Sequence, residues 1–136
     1  MTVSAPSPSR VAELEARYGS DEVLGIEWNE EAQRSLLPNG EPAVLCGFCA
    51  AYIVRLEGAG KVVGFHDGVN PTAHAAGYPG GAHDFALMDD RYTVDPWVKE
   101  TGCTSKRAVF DLQCPGDQEE IHHLYGDPKL WEEAGY

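Results

Sequence analysis

Cys46-Gly47-Phe48-Cys49 opens a long apolar run, His83 stands at the head of an alternating segment, and Asp95 closes the segment after it. A thiol at the start of a helix, an imidazole on one strand and a carboxylate on the next supply a nucleophile, its base and the base's orienter from distant parts of a chain. Their shared chemistry is acyl transfer through a thioester. A free thiol, with a pKa of about 8.5, is a weak nucleophile at neutral pH, and a helix N-terminus or a neighbouring imidazolium stabilises the reactive thiolate.

Where the helix begins therefore decides which cysteine carries the reaction. With a start near Cys49, that sulfur lies over the free N–H groups of the first turn and its own N–H can serve an oxyanion. Cys46 is then left in the approach loop, and the sequence favours this arrangement. With a start at Cys46 the roles exchange.

His83 shares a strand face with Phe85 and Leu87, and a carboxylate on the adjacent strand can fix its tautomer and stabilise its cation. Register tests that pairing. A two-residue turn at Asp89-Asp90 sets Asp84 opposite Asp95 and sends His83 to the other face. A three-residue connection, residues 89–91, or a bulge, sets Phe85 opposite Asp95 and makes His83 and Asp95 diagonal neighbours on one face. The chemistry predicts the odd-length connection.

Three other uses of these residues compete. Cys-Gly-Phe-Cys has the spacing of a thiol–disulfide redox pair, which needs a strand just before it and βαβ surroundings. Cys46 and Cys49 with Cys103 and Cys114 would make a zinc site, but ten residues separate the second pair, and His122-His123 diverge on a helix. A non-catalytic adaptor would use only the acidic surface.

Stepping from the reactive residues to the elements that must hold them, Ser7 as N-cap and Pro8 at the first helical position start an amphipathic helix through Val11, Leu14 and Tyr18 that Gly19 stops. A short helix is predicted from Asn29 to before Pro38-Asn39-Gly40, with Glu30 and Glu31 in its first turn. Residues 43–56 are almost wholly apolar and read as a helix buried on most sides. A strand over 61–66 precedes a glycine- and proline-rich loop, 67–81, of a length usual for functional loops. Strands over 82–88 and 91–96, another over 107–112, a helix with capping-box spacing at Asp117 and Glu120 that ends at Gly126, and a last turn capped by Asp127-Pro128 complete the chain.

Cys46-Gly47-Phe48-Cys49-Ala50-Ala51-Tyr52 resembles the Cys-Gly-x-Cys segment at the central helix of papain-like cysteine peptidases. His83 through Trp97 is similar to the His…Asp-Pro hairpin of the transglutaminase-like branch of that superfamily. The resemblance covers about residues 43–97. It implies an α+β fold, a central buried helix packed on an antiparallel sheet, and the roles of nucleophile, base and orienter for Cys49, His83 and Asp95. It implies a protein or peptide substrate, with hydrolysis, deamidation or transamidation all open. Small domains of this kind also occur as bacterial toxins and effectors, and the lysine-poor, alanine- and glycine-rich composition suits a high-GC bacterium. Where papain-like peptidases carry a glutamine before the nucleophile as oxyanion donor, this chain has Asn39-Gly40-Glu41-Pro42, leaving Asn39, Trp28 or backbone N–H groups for that task.

The 136 residues, 43% of them hydrophobic, suit one catalytic domain over 8–136 behind a flexible leader over 1–7. Ten Lys plus Arg against 22 Asp plus Glu give a net charge of −12, which repels nucleic acid and anionic membranes. No apolar run is long enough to span a bilayer and no secretory leader is evident. The expected location is the cytoplasm, or outside after export without a cleaved signal peptide, with thiols kept reduced. No cofactor or metal is expected.

Overall fold

The computed structural model describes residues 6–135. The expected leader over 1–7 lies outside the described residues for positions 1–5, and the first helix, α1 (Pro6–Tyr18), already includes Pro6 and Ser7. Ser7 is therefore inside the helix and not its cap. A short helix, α2 (Asp21–Leu24), follows, with the Ser20 hydroxyl accepting the Val23 N–H.

The helix predicted from Asn29 is instead a hairpin of β1 (Glu27–Asn29) and β2 (Arg34–Leu36). Asn29 uses its side chain to hold a turn, accepting the Ala32 N–H at 2.8 Å, and Gln33 takes a left-handed conformation (φ 56°) that closes the hairpin. The same side-chain oxygen that makes Asn a helix cap serves equally well in a turn. Acidic neighbours could not tell the two apart.

The central helix, α3 (Cys46–Glu57), begins three residues later than the apolar run. Its lead-in is tied down first, by Ala43 N–H to Ser35 O and Leu45 N–H to Pro42 O. Then come β3 (Lys61–Phe65), β4 (His83–Met88), β5 (Tyr92–Val94), α4 (Pro96–Glu100), β6 (Val109–Asp111), α5 (Pro115–Tyr125), a 3-10 turn (Pro128–Leu130) and β7 (Glu132–Glu133). The strand expected over 91–96 stops at Val94 because Pro96, which has no N–H for a ladder, starts a helix. The capping box expected at Asp117 is not used. Pro115 opens α5 two residues earlier, and Asp117 instead receives Arg107 and the Asp111 N–H.

Strands β3 to β7 form one five-stranded sheet in the order β6-β5-β4-β3-β7, and each pairing is antiparallel. Helices cover both faces. On one side Leu14 and Tyr18 of α1 and Cys49, Ala50 and Ile53 of α3 pack on Val62, Ala86, Met88 and Val94. On the other, Ile121, Leu124 and Tyr125 of α5 pack on Val63, Phe85, Leu87 and Phe110. The fold is thus α+β, with a buried central helix on an antiparallel sheet. Among the described residues no helix is long and apolar enough to cross a membrane.

Candidate functional site

Strands β4 and β5 pair Met88 with Tyr92, Leu87 with Thr93 and Ala86 with Val94. The connection is residues 89–91, closed by Arg91 N–H to Met88 O, with Asp89 and Asp90 both left-handed. Continuing that register sets Asp95 across from Phe85, the arrangement the pairing of His83 with Asp95 requires. Both side chains lie on the α5 side of the sheet. Nε2 of His83 donates to Oδ2 of Asp95 at 2.5 Å, with the side chains 1% and 3% exposed.

Aromatic rings wall this pair from solvent. His83 stacks near Phe85 and Tyr125 and tilts against Trp97, whose ring centre is 5.1 Å away. Tyr125 donates its hydroxyl to Asp95 Oδ2 at 2.9 Å. Burial raises the tyrosine's pKa well above the usual value, and Asp95 adds to the effect, so the hydroxyl remains a donor. For His83, burial pushes the pKa down, but the charge and hydrogen bond of Asp95, followed by the Cys46 thiol, outweigh it and raise it to about 10. The balance favours the protonated ring.

Cys46 approaches from the opposite face, around the end of β4. Its sulfur accepts the Asp84 N–H at 3.5 Å and lies near enough to the His83 ring to help hold its proton. Nδ1 of His83 is buried with no hydrogen-bond partner among the described residues. The sheet explains why a sulfur fits here. Extending the β4–β5 register would set Pro96 opposite Asp84, so no strand follows to accept that N–H, and Cys46 fills the place.

Of the three residues predicted from sequence, the structure brings His83 and Asp95 together and leaves Cys49 out. The helix starts at Cys46, the case in which the roles exchange. Cys49, one turn further on and 3% exposed, packs with Leu14, Ile53 and Val94. Burial pushes its thiol far up, with Asp95, Asp21 and Cys46 adding to the effect. Cys46, by contrast, is half-buried and borders an open groove of about 570 Å³ shared with His83, Phe65, Asp84 and Glu133.

The candidate oxyanion donors from the hairpin region are engaged elsewhere. Asn39 bonds Glu41, and Trp28, 60% exposed, donates to Glu30. The first bonds inside α3 are donated by Phe48 and Cys49 to Leu45 O, which leaves the amides of Cys46 and Gly47 at the open end of the helix beside the sulfur. Trp97, whose ring tilts against His83, also donates its indole N–H to Val44 O at 2.8 Å and so pins the segment that delivers Cys46.

All four cysteines are free thiols. Among the described residues no group of three His, Cys, Asp or Glu side chains is placed to hold a metal ion, and the sheet's antiparallel pairings lack the βαβ unit that a thioredoxin-like reading needs. Tyr125 escaped the sequence reading. Its only signal was a tyrosine before the Gly126 helix stop, a pattern shared by many helix ends. Comparison with protein-family models, curated proteins and solved structures finds no match to this chain.

Proposed function

We propose that the protein is a thiol-dependent acyl-transfer enzyme of papain-like or transglutaminase-like design, with Cys46 as nucleophile, His83 as base and acid, and Asp95 as orienter. One observation carries the reading: a buried His83–Asp95 pair, 2.5 Å apart, with a sulfur at the first turn of a helix hydrogen-bonded to the strand residue next to the histidine. An imidazolium and a helix N-terminus are the two influences that favour a thiolate, and Cys46 meets both. A histidine whose pKa is shifted by burial and a specific charge partner, beside a groove, is the pattern of a functional site.

The sulfur attacks the carbonyl carbon of an amide or ester, and the oxygen's developing charge meets the free amides at the start of α3. As the tetrahedral intermediate collapses, His83 gives its proton to the leaving nitrogen or oxygen and a Cys46 thioester remains. Neutral His83 then takes a proton from water, or from an acceptor amine, as that group attacks the thioester. Cys46 leaves as thiolate and the imidazolium is restored. The groove beside Cys46 is large enough for a side chain and its flanking peptide. A protein or peptide is the substrate class this design suits.

The test is acyl-enzyme formation with p-nitrophenyl acetate, followed by intact-mass analysis. A burst of p-nitrophenol with one acetyl group on Cys46, lost in Cys46→Ala and His83→Ala and kept in Cys49→Ala, is the expected result. A burst that survives Cys46→Ala, or none in the native chain, rejects the assignment.

A further inference from the structure

Asp95 stands at the N-cap position of α4, just before Pro96, with extended φ (−152°) and ψ 79°. A carboxylate there ordinarily turns inward to accept an N–H of the helix's first turn. Asp95 makes no such bond. Its Oδ2 is held instead by two donors from outside α4, Nε2 of His83 and the hydroxyl of Tyr125. The residue therefore has two competing places, cap and orienter, and only the second serves His83.

Tyr125 is built to decide between them. It is fully buried at the last position of α5, with its ring centre 4.2 Å from that of Phe85 and edge-on to Trp131. Its carbonyl is held by Asn70 Nδ2 at 2.9 Å and by the Trp131 indole at 2.8 Å. Asn70 in turn grips the Asp127 N–H and O, and a Cβ on Gly126 would fall 1.9 Å from Asn70 Oδ1. A donor so immobilised fixes its acceptor. The other ionisable groups acting near Asp95 are His83, which donates to the same oxygen, and the Cys49 thiol, which feels its charge.

We infer that Tyr125 is a positioning residue that keeps Asp95 turned away from the α4 cap and toward His83. Its consequence for rate rests on the acyl-transfer reading, while its effect on Asp95 and His83 does not. Without the hydroxyl, Asp95 swings to the cap and His83 loses the charge that sustains its cation.

The experiment follows the His83 ring by NMR in the full chain carrying labelled histidine, for the native protein and Tyr125→Phe. The His83 titration should move down by about one pH unit or more. The p-nitrophenyl acetate burst should slow by about tenfold with its KM changed less than about twofold. A titration that stays put or moves up overturns the inference. Should Tyr125→Phe fail to fold, the native chain still decides: the Tyr125 ring carbon bearing the hydroxyl must shift as His83 ionises, and a silent Tyr125 overturns the inference. A burst that persists in Cys46→Ala would remove the acyl-transfer reading while leaving the titration result standing.

Discussion

The backbone N–H of Asp84 donates to the sulfur of Cys46 at 3.5 Å, in the place where a longer β5 would have offered a carbonyl. Cys46 is thus seated in a gap in the sheet, one that opens where Pro96 ends the ladder. A thiol held by a strand amide, near a buried histidine and at a helix start, differs in surroundings from the other three cysteines.

Reactivity should follow that placement more than exposure. With iodoacetamide at neutral pH, Cys46 should be alkylated about tenfold faster than exposed Cys103, and Cys49 should stay unlabelled until the chain unfolds. Peptide mapping by mass spectrometry measures all four rates at once. Faster labelling of Cys103 than of Cys46 would count against a reactive site.

Stability should fall in alkali because of His83. Its pKa is near 6.5 in the unfolded chain and about 10 in the folded one, so the native state binds the extra proton between those values. The stabilisation is fully present below pH 6.5 and is lost as pH rises toward 10, on the order of a few kcal/mol. Urea unfolding at several pH values, compared between the native chain and His83→Gln, isolates the effect from other groups. Identical slopes in the two proteins would refute it.

Gly64 is a structural requirement of the site. It pairs with Asp84, and a Cβ there would lie 2.0 Å from Asp84 Oδ1 and 2.4 Å from His83 O. Because one of those atoms is backbone, the strand itself must move. Gly64→Ala should cost about 1–3 kcal/mol and slow Cys46 alkylation several-fold, about as overpacking elsewhere does. Unchanged thermal midpoint and unchanged labelling would show that β4 yields freely.

Trp97 couples the histidine to the approach of the cysteine. Its ring lies against His83 and its N–H holds Val44 O, two residues before Cys46. Trp97→Phe keeps an aromatic surface and removes the donor, so it should cost about 1 kcal/mol and reduce the Cys46 labelling rate while leaving Cys103 unaffected. Loss of stability with no change in Cys46 rate would confine Trp97 to packing.

Part of this site was readable from residue order because it depends on short-range rules. His83, Phe85 and Leu87 alternate, and the connection between Met88 and Tyr92 is local, so the His83–Asp95 relationship followed once the loop length was chosen. The start of α3 did not follow. Residues 43–45 are as apolar as the helix, and what stops the helix from including them is a tertiary tie, Ala43 N–H to Ser35 O. That tie comes from a hairpin whose turn residue, Asn29, carries the same signal as a helix cap. Tyr125 and Trp131 reach Asp95 and Phe85 only through the packing of α5, which no local pattern encodes.

That packing has a consequence for how the protein is made. Cys46, His83 and Asp95 all leave the ribosome well before Tyr125, yet a nascent chain stopped short of it lacks one of the two donors to Asp95 and the aromatic cover of Tyr125 and Trp131. Such a chain holds Cys46, His83 and Asp95 but leaves the histidine open to water and the carboxylate with one donor fewer. The buried His83–Asp95 pair is therefore finished only when α5 docks, among the last steps of folding.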